Sequence, residues 1–414
     1  MDLHTGFSVE ILTEVIGYLF QAAGLLVFGL FIKKHPAYTE TRYFIYVIGI
    51  DVLLIVLSVL PKQTFMVLGF GFLMNVFHGI IAGYYLYRLT TLVGWNSRSL
   101  VFGLAYGSAS IGTWLLSLIG KANFIRSGYS CIIDIALAGI TIWLITKEKS
   151  STEDLQFTGE HADTGLILLA GITVIFLSLV KSIGFSFSSS EINQGISLEL
   201  SRVFYALGLV IAGYIGDYER KYGAVCCVAL LGFPFIMIAL KDHTTPSILF
   251  WILNYLMFGF YTVFRVVLFS DIARKKKEYL YLAGFGLMFG RIGDASGFLI
   301  CSALNNHSAV LISIAAVLFA FTILLFFLLY QKVYLPESFT QPDEQDQFET
   351  FIKKYQFSSR EQEIFGLLLE GKSNGEMANE LYISESTVKF HIHNILKKTE
   401  CDNRISLLSL YKKL

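Results

Sequence analysis

Charged side chains are scarce in this sequence, because Lys, Arg, Asp and Glu together make up 15% of its 414 residues. A typical soluble domain contains about 25% charged and about 45–50% apolar residues, whereas this chain is 54% hydrophobic. Its 36 Phe and 22 Tyr residues add to the apolar bias. The shortage of charge excludes a wholly soluble, a disordered and a fibrous protein.

Cysteine is also rare, since the chain contains five cysteines, too few for a disulfide framework. The sequence shows neither Cys-x-x-Cys nor a Cys/His metal spacing, so we expect free thiols, no bound metal and no cofactor. It also lacks a Ser/His/Asp or Cys/His arrangement and a phosphate-binding Gly-Lys loop, which makes an enzyme the least favoured class. The first ten residues are not basic and the first apolar run is long, which predicts that no cleavable signal peptide is present.

The charge that exists is concentrated at the C-terminal end. Residues 337–414 hold 10 Lys or Arg and 13 Asp or Glu, and the 336 residues before them hold the other 41 charges. This division predicts an all-α chain with a transmembrane domain over residues 1–335 and a soluble domain over residues 353–414. Residues 336–352 are acidic and polar without an apolar period, which is typical of a flexible linker.

Residues 1–335 contain eleven apolar segments that approach the roughly 20 residues needed to cross a bilayer. If the N-terminus lies outside the cell, the inside loops hold 14 Lys or Arg and the outside loops hold 4. Because basic residues concentrate in cytoplasmic loops, this distribution predicts a cytoplasmic C-terminal domain. The predicted segments are about 10–32, 43–60, 65–89, 99–119, 128–146, 165–188, 197–215, 223–240, 247–272, 279–301 and 308–331.

The loop after the seventh segment reads Gly213-x-x-Gly216-Asp217-x-x-Arg220-Lys221-x-Gly223. It resembles the Gly/Asp/Arg loop between the second and third helices of each half of major facilitator superfamily transporters. The resemblance implies two helical bundles with a central cavity and the absence of the usual first helix. The corresponding loop of the first half, residues 33–42, lacks the Gly and the Asp.

Ionisable residues inside membrane segments usually face a cavity or a partner, and the deepest are Arg265, Arg291, Asp294, Asp51 and Asp134. Arg291 and Asp294 are three residues apart on one helix face and can pair. Their helix is rich in Gly, which permits close helix packing. Two interpretations follow: a buried ion pair at a tight helix crossing, or a ligand site lined by Arg265, Arg291 and Asp294.

A second group, Lys181, Glu199 and Arg202, falls near the predicted outer ends of segments six and seven. These side chains either reach toward water or form the mouth of a ligand pocket that includes Lys181 and Arg202. We interpret Asn75 and His78 in the third segment as polar packing rather than ligands.

The C-terminal domain carries clear helix-start signals. Ser358 with Glu361 and Ser373 with Glu376 are predicted capping boxes, Gly371 is a predicted C-cap, and Ser384 is placed to cap a third helix. A fourth helix is predicted to begin at 402 or 403. The second and third helices are joined by a three-residue turn, which is a helix-turn-helix layout.

The third helix separates into two faces. Val388, Ile392, Ile395 and Thr399 share the side that is predicted to pack into the domain, and the opposite side is predicted to face the major groove, which accommodates a helix. Lys389 can donate to guanine edges or to phosphate. The other predicted DNA contacts are Phe390 to a thymine methyl, His393 in the groove, and Ser386, Thr387, Lys397, Lys398 and Arg404 to phosphates.

About 58 residues closely resemble the LuxR-type helix-turn-helix of bacterial transcription regulators. The resemblance implies that the third helix reads DNA and that the fourth helix forms a homodimer. By position, Lys389, Phe390 and His393 fall where the family makes base or groove contacts. The matching residues are Ser359-Arg360-Glu361, Glu370-Gly371-Lys372-Ser373-Asn374, Met377-Ala378, Leu381, Ile383 through Lys389, His391, Asn394-Ile395, Lys397-Lys398 and Asn403-Arg404.

The sequence therefore predicts a one-component transcriptional regulator of the bacterial cytoplasmic membrane, with double-stranded DNA, the lipid bilayer and a small-molecule ligand as partners. The alternative is a secondary transporter of the major facilitator type with an attached regulatory domain. For the tail alone, the alternative to DNA binding is a helix set that contacts another protein. The tail has balanced charge, with 8 Lys or Arg and 8 Asp or Glu over residues 356–414, and general DNA attraction rises with basic charge.

Overall fold

We analysed a computed structural model of the full chain. It describes residues 9–59, 63–119, 127–147, 157, 159, 163–191, 198–232, 235, 244–304, 307–335 and 344–412. The regular secondary structure of these residues is entirely helical, which confirms the predicted all-α class. The chain divides into two compact units, Met1–Tyr334 and Leu335–Leu414.

The described residues of the first unit form eleven α-helices. Eight of them, α1 to α4, α6, α7, α9 and α11, are long and apolar enough to cross a membrane. The helices are α1 (Val9–Lys34), α2 (Thr41–Val59), α3 (Thr64–Leu92), α4 (Arg98–Ile119), α5 (Ser127–Lys147), α6 (Thr164–Glu191), α7 (Leu198–Tyr218), α8 (Arg220–Ala229), α9 (Thr244–Ala273), α10 (Phe285–Ala303) and α11 (Ser308–Tyr334).

Two of the predicted segments differ from the observed helices. The eighth helix begins at Arg220 and ends at Ala229, with a 3-10 turn over Leu230–Gly232, and most of the later part of the predicted segment 223–240 lies outside the described residues. The tenth prediction, 279–301, starts too early, because Lys277–Leu282 is a 3-10 helix and α10 begins only at Phe285.

The main core of the first unit lies between α6, α9, α10 and α11. Ala170, Leu177, Phe269 and Leu329 are fully buried there, and they come from helices far apart in sequence. Helix α6 packs closely on α10, α1 packs on both α3 and α10, and α7 packs on α4 and α9. These contacts bring the ionisable residues of α6, α9 and α10 to one place.

The second unit contains five described helices around its own core. The first of them corrects the predicted linker, because residues 344–352 belong to a helix in which Phe351 is fully buried against Phe365. The reason is that Phe348, Phe351 and Ile352 lie within the acidic segment, and their apolar side chains pack into the core of the second unit. The helices are α12 (Glu344–Lys354), α13 (Ser359–Leu369), α14 (Asn374–Glu380), α15 (Glu385–Lys398) and α16 (Arg404–Lys412).

Candidate DNA-binding and ligand-binding sites

In the second unit, Leu335–Leu414, which we call the small unit, capping side chains fix where the helices begin. Ser358 and Glu361 form a complete capping box at α13, and Ser373 and Glu376 form another at α14. At α15, the Ser384 hydroxyl accepts a hydrogen bond from the N–H of Thr387 at 3.1 Å. Each such cap satisfies helix-start amides that otherwise lack partners. The predicted caps are present, and they orient α15 against the rest of the unit.

Helix α14 is preceded by a sharp chain reversal. Helix α13 ends at Leu369, and Gly371 just after its C-cap has φ +84°, a left-handed conformation that Gly adopts without steric cost. The Gly371 N–H donates to the carbonyl of Leu368, and the Lys372 N–H donates to that of Leu367, each at 3.2 Å. This is the Schellman arrangement, and it confirms the predicted C-cap.

Helix α15 has one buried face and one exposed face. Val388 and Ile395 are fully buried and Thr399 is 5% exposed, whereas Phe390 on the other side is 61% exposed. An exposed Phe at the centre of a helix has no role in the core of the unit. The same exposed face carries Ser386, Lys389, His393 and Lys397.

Two lysines without ion pairs lie on this exposed face. In the described part of the unit, Lys353 pairs with Glu349, Arg360 with Glu363, Lys372 with Glu370 and Glu380, and Lys398 with Glu361. By contrast, Lys389 and Lys397 form no ion pair with any described residue. Exposed Lys354 on α12 also forms no ion pair with a described residue, but α15 carries two such lysines on one exposed face.

Two of the predicted phosphate contacts are used inside the unit. Lys398 Nζ donates to Oε2 of Glu361 at 2.6 Å and to the carbonyl of Gln356 at 2.8 Å. Arg404 Nη2 donates to the carbonyls of Leu368 and Lys372 at 3.2 and 2.9 Å, which satisfies the C-terminal end of α13. Both side chains hold helices together, and Thr387 is half-buried beside the α15 cap.

Glu361 is the buried carboxylate of the small unit, with 4% exposure. Burial alone raises the pKa of Glu361, but hydrogen bonds from Lys398 and Ser358 and the charge of Lys398 outweigh it, so the pKa lies below its ordinary value. A depressed pKa means that the carboxylate stabilises the fold above its unfolded pKa. That contribution is lost as the pH falls through the lower pKa of the folded state.

Replacing Glu361 with Gln is expected to lower the free energy of unfolding by about 1–2 kcal/mol at neutral pH. The difference from wild type is expected to shrink as the pH falls below 4.5, where the unfolded carboxyl becomes protonated. Urea unfolding of a fragment of residues 335–414, which has its own core, measures both values. Glu363→Gln is the matched control, since its pair with Arg360 is exposed and such pairs contribute about 0–1 kcal/mol.

The second candidate site lies within the first unit, Met1–Tyr334, which we call the membrane unit. The site is centred on Asp294 of α10. Its carboxylate lies 2.8 Å from Nζ of Lys181 and 3.4 Å from Nη1 of Arg265. It also accepts a hydrogen bond from the Ser182 hydroxyl at 3.1 Å, and Nη1 of Arg291 is 3.9 Å away. The three helices α6, α9 and α10 thus meet at one carboxylate.

Glycine residues of α10 make this approach possible. A Cβ at Gly290 would overlap Nη1 of Arg265, so the guanidinium occupies the space that a side chain at this position would fill. A Cβ at Gly297 would lie 2.6 Å from the carbonyl of Leu179 on α6, closer than side chains pack. The predicted tight crossing is therefore present, and the ion cluster is built into it.

Lys181 belongs to this cluster rather than to the predicted outer group. Its Nζ contacts Asp294 because the part of α6 that carries it packs on α10. Arg202 is exposed on α7, and its backbone carbonyl accepts a hydrogen bond from Ser110, so the structure does not bring it to Asp294. The side chain of Glu199 lies outside the described residues.

The remaining predicted membrane residues form separate contacts. His78 Nε2 lies 3.4 Å from Oδ2 of Asp51, and Asp134 is close enough to both to interact electrostatically. Asn75 donates to the carbonyl of Gly71 at 2.9 Å, one turn earlier on α3. These contacts agree with the interpretation of Asn75 and His78 as polar packing.

Sequence reasoning missed a second buried network at the start of α4. Asp217 accepts hydrogen bonds from the N–H groups of Ser99 and Leu100 at 2.9 and 2.8 Å, which neutralises the positive end of α4. Asp271 at the end of α9 binds Arg98 at 2.5 Å and Arg220 at 3.0 Å. The signal was the Gly/Asp/Arg loop itself, which supplies Asp217 and Arg220.

Comparison with known proteins separates the two units in the same way. Residues 355–411 match the family described as bacterial regulatory proteins, luxR family. The chain is 50% identical over 52 residues to the monoamine regulon transcriptional regulator of Klebsiella aerogenes, covering 13% of this chain and 23% of that protein. It is 48% identical over 50 residues to the CsgBAC operon transcriptional regulatory protein of Escherichia coli (strain K12), covering 12% and 23%.

A third relative is the spore germination protein GerE of Bacillus subtilis (strain 168), 46% identical over 48 residues, which are 12% of this chain and 65% of that protein. The chain thus spans about a quarter of the length of the first two regulators. Similarity to these regulators is confined to the small unit.

Over the membrane unit, the fold is similar to the crystal structure of the human organic anion transporter MFSD10 (TETRAN). The TM-score is 0.58 with 13% sequence identity, and the match covers 76% of this chain and 83% of that one. At this identity the similarity concerns the fold alone. The chain therefore combines a fold similar to that of this transporter with a C-terminal helix-turn-helix domain that matches the luxR family.

Proposed function

We propose that this protein is a membrane-bound one-component transcriptional regulator, which senses a small molecule through its helical bundle and binds promoter DNA through its helix-turn-helix domain. The observation that carries the proposal is the exposed face of α15, where Lys389 and Lys397 form no ion pair with any described residue and Phe390 is exposed. The regulators that match the small unit support a role in transcription. No enzymatic step is part of this proposal.

The proposed location is the bacterial cytoplasmic membrane, with the N-terminus outside and the helix-turn-helix domain in the cytoplasm. The excess of basic residues in alternate loops supports this orientation. A membrane bundle that has two conformations can transmit a signal when a ligand binds one of them more tightly. In this scheme the signal enters through the membrane unit.

The DNA contacts are tested by removing the two unpaired lysines. The double variant Lys389→Ala/Lys397→Ala is expected to bind duplex DNA more weakly and to reduce the slope of log affinity against log salt by about 2, because each phosphate contact contributes about 0.9. Fluorescence anisotropy of the full-length protein in detergent, over a salt series, measures both changes. The matched control is Lys353→Ala/Lys354→Ala on α12, which removes the same charge and is expected to leave the slope unchanged. Equal slopes in wild type and the α15 variant would contradict the proposed surface.

We also propose that α16 forms a homodimer. Ile405 on this helix is 79% exposed, an unusual position for a large aliphatic side chain unless it has a partner. Ile405→Ser is expected to leave the fold intact and to shift the 335–414 fragment from dimer to monomer in analytical ultracentrifugation. Tyr382→Ser, which removes an apolar side chain that is 95% exposed in the turn before α15, is the control and is expected to remain dimeric.

A transporter with an attached regulatory domain is the second candidate. The complete contacts of Asp217 and Arg220 favour it, since this loop is the part of the chain that most resembles transporters. Gradient-driven uptake by proteoliposomes, lost in Asp217→Asn, is the result expected of a transporter. A regulator is expected to show no uptake.

A further inference from the structure

The buried cluster around Asp294 contains more positive than negative charge. Three cations, Lys181, Arg265 and Arg291, lie 2.8, 3.4 and 3.9 Å from its carboxylate. Arg265 and Asp294 are each 4% exposed, and the Arg291 side chain is 17% exposed. Within a membrane bundle, each unmatched charge is costly. Among the described residues, one carboxylate therefore leaves a surplus of two positive charges.

The other acidic group that the structure describes near the cluster does not remove the surplus. Asp294 is the carboxylate that contacts all three cations, and its Oδ1 is shared between Lys181 and Ser182. Glu14, one turn before Tyr18 on α1, is close enough to Tyr18 to act on it electrostatically, but its side chain is exposed. Counting Glu14 as well still leaves one positive charge in excess.

The hydrogen-bond donors of the cluster are also incompletely used. Among the described residues, Nε of Arg265, Nε of Arg291 and Nδ2 of Asn254 are buried and have no hydrogen-bond partner. Asn254 is only 2% exposed, so water outside the bundle does not satisfy it. A buried donor without an acceptor is costly, because it has lost its hydrogen bonds to water. The same place therefore lacks both negative charge and acceptor atoms.

A small cavity adjoins one of these donors, the amide of Asn254. Lys181, Asn254 and Tyr261 line it together with apolar side chains, so the unpartnered amide of Asn254 and the ammonium of Lys181 face one space. Aromatic rings lie beside the cations, with Lys181 Nζ 5.1 Å from the centre of Tyr261 and Arg291 4.9 Å from that of Tyr18. The apolar part of the lining consists of Cys227, Leu231, Met257 and Phe258.

We infer that the Asp294 cluster binds a small organic anion through an oxyanion group such as a carboxylate, phosphate or sulfate. Lys181 and Asn254 at the cavity hold this group together with Arg291, which contacts the same carboxylate as Lys181, and the apolar body of the anion lies against the neighbouring aromatic side chains. The inference rests on the proposed sensory function and names the class of its ligand. An oxyanion supplies the missing charge and the missing acceptors together, whereas a neutral or cationic molecule leaves the surplus in place. Because the cluster joins α6, α9 and α10, a bound anion favours the conformation in which these helices are together.

The test uses the full-length protein in nanodiscs of phosphatidylcholine, a neutral lipid. The probes are 3-phenylpropionate and its uncharged analogue 3-phenylpropionamide, which differ only at the oxyanion group. The acid is expected to raise the melting temperature in a saturable manner, since a ligand that binds only the folded state stabilises it, and the amide is expected not to. Equal shifts with both probes, or no shift with the acid up to about 50 mM, would overturn the inference.

Variants separate binding from folding. Arg291→Gln, the most weakly paired cation, is expected to raise the apparent Kd for the acid at least about tenfold, with Arg42→Gln as the exposed control of the same type. Asn254→Leu removes an unpartnered amide, so the melting temperature of the ligand-free protein is expected to be unchanged or higher. Binding of the acid is expected to be weaker. Unchanged acid binding in both variants would refute the site even if Lys181→Gln fails to fold.

A lipid arm distinguishes the source of the oxyanion. In nanodiscs that contain phosphatidylglycerol, the protein is expected to bind the acid as it does in nanodiscs of neutral lipid. If this lipid alone raises the melting temperature in wild type but not in Arg291→Gln, and the acid adds nothing, a lipid headgroup occupies the site and the free anion is excluded. These readouts contain no DNA, so a failure here is separate from a failure of the Lys389 and Lys397 variants.

Discussion

Replacing Asp294 with Asn is expected to destabilise the membrane unit by about 3–5 kcal/mol, because it leaves buried cations without their shared counter-ion. Asn has nearly the same shape, so the loss comes from charge rather than from a cavity. Thermal unfolding of the full-length protein in detergent, followed by intrinsic fluorescence, measures the effect. Glu278→Gln, which neutralises an exposed carboxylate of the same unit, is the control and is expected to change little.

A second substitution tests the physical reason. In Asp294→Asn/Lys181→Gln, one of the stranded cations is removed, and part of the lost stability is expected to return. The coupling between the two sites is expected to be about 1–3 kcal/mol, as for residues in direct contact. If the two single effects simply add, the cluster is not held together by charge.

Asp271→Asn is expected to lower the free energy of unfolding by about 3 kcal/mol or more, because it removes the counter-ion of the buried Arg98. Arg98 is 1% exposed and relies on Asp271 at 2.5 Å, whereas Arg220 keeps its bonds to Asp217 and to the carbonyl of Trp95. The loss therefore falls mainly on Arg98. The same thermal measurement applies, and Arg98→Met combined with Asp271→Asn is expected to be less unstable than Asp271→Asn alone. A double variant that is worse than the single one would contradict this assignment.

Local signals predicted most of the small unit. The capping boxes at Ser358 and Ser373 and the two faces of α15 depend on residues within four positions of each other, so spacing alone reveals them. The sequence did not predict helix α12, because its apolar residues Phe348, Phe351 and Ile352 are few and stand among acidic residues. Their side chains pack into the core. The internal contacts of Lys398 and Arg404 cross more than 30 residues and have no local signal.

In the membrane unit, apolar runs predicted where helices lie but not which faces meet. Arg291 and Asp294 share a turn, so their proximity was predictable, and the Gly residues of α10 indicated a tight crossing. Lys181 was assigned to the wrong group because its partner Asp294 is 113 positions away, and only the packing of α6 on α10 brings them together. The same holds for Arg98 and Asp271, whose pairing depends on α4 lying beside α9.

The central claim is that the membrane unit and a DNA-reading domain act as one regulator. Genome-wide crosslinking and immunoprecipitation of the full-length protein from native cells, beside Lys389→Ala, tests it most directly. We predict discrete promoter sites in wild type that disappear in Lys389→Ala, with equal amounts of both proteins in the membrane fraction. The absence of enriched sites across several growth conditions, or sites that persist in Lys389→Ala, would contradict the account.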